Sequence, residues 1–171
     1  MLLNFEFQKS AEPQSKPTIV LIHGLFGSLS NLGMIARVLQ LEYSVLQLDV
    51  RNHGKSAHDK EMNYTVMAQD VIETLDHLNI EQFSVIGHSM GGKIAMKLTE
   101  LAPKRLQNLI VLDMCPFAYQ ENHHDSIFKA LFAVEQANVA SRKEAYEIMQ
   151  TFLKEEMVIQ FLLKGFNKGH W

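Results

Sequence analysis

Residues 85–92 read VIGHSMGG and contain Gly87-His88-Ser89-Met90-Gly91, the pattern G-x-S-x-G. A serine hydroxyl attacks a carbonyl only when a base takes its proton and hydrogen-bond donors hold the oxyanion that forms. The pattern supplies part of this when a strand precedes it and a helix follows, because a sharp strand-to-helix turn lifts the hydroxyl clear of the sheet's carboxyl edge. Here the strand Phe83–His88 precedes and the helical run Met90–Leu101 follows. Such a turn strains the serine backbone and crowds its neighbours, which accounts for Gly87 and Gly91. The Met90 N–H then points from a helix N-terminus, where partial positive charge favours an oxyanion.

A second stretch, His23-Gly24-Leu25-Phe26-Gly27, also follows an apolar strand. Alone it reads equally well as an ordinary glycine turn. Beside Ser89, it can bring the Leu25 N–H next to that of Met90 to make an oxyanion hole. One donor of such a hole is worth about 3–4 kcal/mol of transition-state stabilisation. A third stretch, Leu48 to Ser56, carries Asp49, Arg51 and His53. Asp49 and Arg51 read as braces for this loop rather than as participants in chemistry.

The elements that must position these residues follow from periodicity. Strands are predicted over 2–8, 18–23, 43–49, 83–88 and 106–113, and helices over 31–40, 64–78 and 90–101. The second strand, TIVLIH, is apolar on both faces, which implies a sheet covered on both sides. Strand and helix alternate from residue 18 to residue 113, which predicts a mostly parallel sheet with helices on both faces. After Pro116 the rhythm changes, and residues 126–166 carry only helical signals. The chain therefore divides into an α/β core over 1–115 and a helical cap or lid over 116–171.

The bulk numbers exclude several functions. The chain has 171 residues, 47% apolar and 20% charged, with a net charge of −3. No basic excess is available to hold a phosphate backbone, so no nucleic acid is expected. The only cysteine, Cys115, rules out a disulfide within the chain and suits a cytoplasmic location. No run approaches the roughly 18 apolar residues of a membrane span, and the N-terminus lacks a secretion pattern.

Taken together and in this order, HGLFGS, DVRNHGKS and GHSMGG resemble the oxyanion loop, post-strand turn and nucleophile elbow of the α/β-hydrolase family. HGLFGSLSNLG, LDVRNHGKS, IGHSMGGKIAM and the later VIQFLLKGF are similar to its small bacterial YbfF-type esterases. The resemblance implies hydrolysis of a small-molecule carboxylic ester or thioester through an acyl-enzyme at Ser89. The N–H groups of Leu25 and Met90 would hold the oxyanion, with neither a metal nor an organic cofactor. Alternatives from the residues themselves are a thioesterase, a catalytically incomplete fragment, and a non-enzymatic module binding an acyl group or a protein.

In this fold the acid and then the histidine follow the serine. Asp113 ends the strand after the elbow, and adjacent strands lie about 5 Å apart, so it is the candidate acid. A helix-capping or loop-bracing role is the alternative. Three histidines follow it: His123, His124 and His170. Adjacent side chains cannot face one point, so His123 and His124 read as polar loop residues rather than a metal site. His170, in Gly169-His170-Trp171, fits the family's G-H-x histidine loop and is the candidate base. Against it, no strand signal follows Asp113, VIQFLLKGFNKGHW resembles a cap helix and its turn, and a residue one from the terminus is rarely held tightly. The expectation is therefore a chain that stops before the last strands and lacks the base.

Overall fold

The computed structural model describes residues 1–10, 16–116 and 124–166. Two compact units divide the chain, Met1–Pro116 and Phe117–Trp171.

In the first unit the strands are β1 (Phe5–Gln8), β2 (Thr18–Ile22), β3 (Val45–Leu48), β4 (Phe83–His88) and β5 (Leu106–Leu112). They form one sheet in the order β1-β3-β2-β4-β5. Only β1 runs antiparallel to its neighbour, while β3, β2, β4 and β5 are mutually parallel. Between them lie α1 (Gly33–Leu39), α2 (Tyr64–His77) and α3 (Met90–Leu101).

The unbroken apolar run Ile19–Ile22 of β2 has a direct cause. Val20 and Ile22 of β2 pack with Leu46, Leu48 and Val85 against the apolar faces of α2 and α3. Their neighbours Ile19 and Leu21 point the other way, and pack with Val45 and Ile86 against Leu32 and Ala36. Both faces are buried, so Ile19–Ile22 are all apolar. β5 differs: it pairs with β4 on one side, no other strand pairs with it among the described residues, and Leu109 and Ile110 are exposed.

The predicted helix over 31–40 divides in two. Ser28 and Asn31 form a capping box around a short 3-10 turn, Leu29–Leu32, and the α-helix proper begins at Gly33. Pairing with β3 limits the first strand to Phe5–Gln8. At α2, the Asn63 side chain accepts the Val66 N–H at 3.0 Å, capping the helix where the polar loop ends.

In the second unit the described residues form three helices, α4 (Asp125–Ala137), α5 (Arg142–Met149) and α6 (Glu156–Leu163). Asn138 in the left-handed region ends α4, and a Ser141–Glu144 capping box starts α5.

Two glycines separate steric need from simple tolerance. A Cβ on Gly91 would overlap the carbonyl oxygens of Ile22 and His23, whereas one on Gly33 would meet open space. Gly91→Ala is expected to destabilise by about 2 kcal/mol or more. Gly33→Ala should be neutral or stabilising by up to about 1 kcal/mol. Urea unfolding of the two variants checks the pair, and equal effects would contradict the packing described.

Candidate active site

Ser89 lies between β4 and α3 with φ 52° and ψ −118°. A residue with a Cβ rarely adopts this conformation, and holding it there costs on the order of 1–3 kcal/mol. Its surroundings impose it. The Ser89 N–H donates to Leu112 O at 2.9 Å, tying the turn to β5. The Ser89 carbonyl accepts the Gly92 N–H at 2.8 Å, which opens α3. A Cβ on Gly87 would overlap the backbone of Gly91, so the chain closes this turn only with glycine at both positions.

The other predicted residues fall around it. A Cβ placed on Gly24 would come within 3.2 Å of the Ser89 Cβ, so the His23–Gly27 loop runs against the serine turn. Met90 is the first residue of α3 and is buried. Leu25, partly buried, packs on the core of the first unit. Among the described residues, neither the Leu25 N–H nor the Met90 N–H donates a hydrogen bond to the protein, whereas the next amides of the loop, Phe26 and Gly27, both do. Asp113 follows β5, whose Leu112 is in register with His88 of β4. It is 89% exposed and carries a φ of 55°. Its carboxylate lies 3.9 Å from His88 Nε2. No described histidine hydrogen-bonds the Ser89 hydroxyl. His124 precedes α4, while His123 and the candidate base His170 lie outside the described residues.

Two buried histidines hold the loop, and sequence spacing did not disclose them. His23, 1% exposed, accepts the Val50 N–H on Nε2 at 3.2 Å. Its proton therefore sits on Nδ1 and donates to Gly24 O at 2.7 Å. Gly24 O also accepts the Gly27 N–H at 3.0 Å, which closes the turn. His53, 8% exposed, is built alike: Nε2 accepts the Phe26 N–H at 3.1 Å and Nδ1 donates to Arg51 O at 2.9 Å. Phe26 has a φ of 61°, a conformation that residues with a Cβ rarely adopt, and this hydrogen bond helps to hold it. The rings stand 5.3 Å apart. Burial, above all, pushes His23 down to about 4 and lowers His53 from its ordinary value. Both are neutral acceptors at neutral pH.

Asp49 and Arg51 do brace their loop. Asp49 Oδ1 accepts the Leu29 N–H at 2.7 Å, and Oδ2 accepts the Lys55 N–H at 2.9 Å and Asn4 Nδ2 at 2.7 Å. Arg51 grips Asp70 of α2 with Nε at 2.6 Å and a terminal nitrogen at 2.8 Å. Among the described residues, no group of three or more His, Cys, Asp and Glu side chains could hold a metal ion, and no helix is long and apolar enough to cross a membrane.

Because His23 is neutral when folded and titrates at its usual 6.5 when unfolded, the unfolded chain binds the extra proton between those values. Stability therefore falls as pH drops from 6.5 towards about 4, by on the order of 3 kcal/mol from this group alone. Urea unfolding across this window should show a shallower pH dependence for His23→Gln than for the wild type. Identical slopes would contradict the assignment.

Comparison with known proteins places this geometry in a family. The model for the alpha/beta hydrolase fold matches residues 17–143. Esterase YbfF of Escherichia coli is 47% identical over 171 residues, which is all of this chain and 67% of that protein. A relative from Haemophilus influenzae is 46% identical over 166 residues, or 97% of this chain and 58% of that protein. The sn-1-specific diacylglycerol lipase ABHD11 of Xenopus laevis is 39% identical over 154 residues, covering 86% of this chain and 49% of that one. The solved structure of a marine microorganism esterase superposes with a TM-score of 0.83 at 33% identity, covering 95% of this chain and 63% of that one. This chain thus spans roughly half to two thirds of the length of these relatives. By the family match and by the serine turn on its parallel sheet, the chain belongs to the α/β-hydrolase fold family and resembles YbfF-type esterases.

Proposed function

We propose that the protein is a serine hydrolase of carboxylic esters that works through an acyl-enzyme at Ser89. One observation carries this reading: a strained serine, φ 52°, turned out between β4 and α3 against the Gly24 loop. Strain of this kind at a non-glycine residue persists where the position of a side chain matters. The names of relatives such as Esterase YbfF add to it.

In this reading the Ser89 Oγ adds to the ester carbonyl while its proton passes to a histidine nitrogen. The carbonyl oxygen becomes an oxyanion held by the N–H groups of Leu25 and Met90, which have no acceptor within the described protein. Collapse expels the alcohol, which takes the proton from the histidine. Water then repeats the sequence on the acyl-enzyme and releases the acid. Thioesters fit the same steps, with a thiol as the leaving group. Asp113, directly after β5 and beside the serine turn, is the acid that orients the histidine. His170 remains the candidate base.

We assign the helical unit the part of a cap. Phe128 and Phe132 stand one turn apart on α4 and are exposed.

Hydrolysis of para-nitrophenyl butyrate and of a butyryl thioester tests the function. The rate with Ser89→Ala should fall by roughly a thousandfold or more. Equal rates for wild type and variant would overturn the proposal.

A further inference from the structure

We propose that His53 is a positioning residue for the oxyanion loop, and that protonating its Nε2 releases that loop. The inference rests on the reading of the Gly24–Gly27 turn as an oxyanion loop, but its core is a hydrogen-bond arrangement. The Phe26 N–H is a donor and needs an acceptor, and at 3.1 Å that acceptor is His53 Nε2. The opposite nitrogen is committed as a donor to Arg51 O at 2.9 Å, which fixes the tautomer that leaves Nε2 with a lone pair. A proton on Nε2 turns that acceptor into a second donor facing the Phe26 N–H. The bond is lost, and with it one of the restraints that keep Phe26 at φ 61°. Leu25 is the preceding residue, so its N–H moves with the same peptide segment.

The groups around His53 set where this occurs. The ring of His23 stands at the end of β2, 5.3 Å away. His23 commits its own Nε2 to the Val50 N–H, so it cannot substitute as acceptor for Phe26. The Asp49 carboxylate after β3 favours the proton, while His58 in the same loop disfavours it. The Arg51 guanidinium is engaged by Asp70 and by Glu61 O. Burial outweighs the rest and keeps His53 neutral below its ordinary range, so the loop stays fixed at neutral pH and loosens in acid.

Nitrogen-15 NMR of the protein tests this without reference to turnover. The Phe26 amide resonance should shift with one midpoint, the same as that of the His53 ring, and should stay flat in His53→Gln, whose amide oxygen accepts at the Nε2 position but does not titrate. A Phe26 amide that stays still while His53 titrates would overturn the proposal. The second arm is the rate at which an alkyl fluorophosphonate labels Ser89. Wild-type labelling should fall through the His53 midpoint, and His53→Gln should lack that step. His53→Leu should label roughly tenfold or more slowly at neutral pH, with part of the loss recovered in His53→Gln. Matching pH profiles in wild type and His53→Gln would break the link from His53 to the site. Absence of label in every protein would count against Ser89 as nucleophile, and the NMR arm would still decide the role of His53.

Discussion

The close approach of the α3 N-terminus to the end of β2 is the constraint from which the rest of the site follows. Gly91 lies against the carbonyl oxygens of Ile22 and His23, with no space for a Cβ. That approach brings the first turn of α3 down onto the sheet's carboxyl edge. The chain between β4 and α3 must then turn within one residue, Ser89, at a φ that side chains disfavour. The same approach sets the Gly24 loop, which continues from β2, beside the serine Cβ. The serine turn and the Gly24 loop are thus neighbours because two backbones pack without side chains between them.

Holding that loop falls to neutral imidazoles. His23 and His53 each donate through Nδ1 to a carbonyl and accept a backbone N–H through Nε2. Each links segments far apart in sequence: the end of β2 to Val50, and the 51–53 turn to Phe26. Asp49 adds the Leu29 and Lys55 amides to the same anchorage. Loops carry buried amides only when such acceptors exist, because an unpaired N–H costs about 1–3 kcal/mol. The motif DVRNHGKS therefore serves as a scaffold for HGLFG: Asp49 accepts the Leu29 and Lys55 amides, and Arg51 grips Asp70 of α2.

Much of this was legible in the residues. The continuous apolar run of β2 identified it because burial on both faces leaves no alternation. Gly87 and Gly91 marked the turn, and the run Leu106–Asp113 set Asp113 directly after β5. The histidine pair was not legible. Its partners are backbone amides brought near by folding, and no spacing rule encodes them. The split of residues 31–40 into a 3-10 turn and α1 was hidden too, since apolar periodicity runs through both and only the Ser28–Asn31 cap divides them.

If the serine turn exists to present a nucleophile, an acyl group must pass through it. The most direct measurement is mass spectrometry of the protein after rapid acid quenching of a reaction with para-nitrophenyl butyrate, followed by proteolysis. The account predicts a butyryl group on the peptide that contains Ser89 and on no other. Ester turnover with that peptide unmodified, or the acyl group on a different residue, would contradict it.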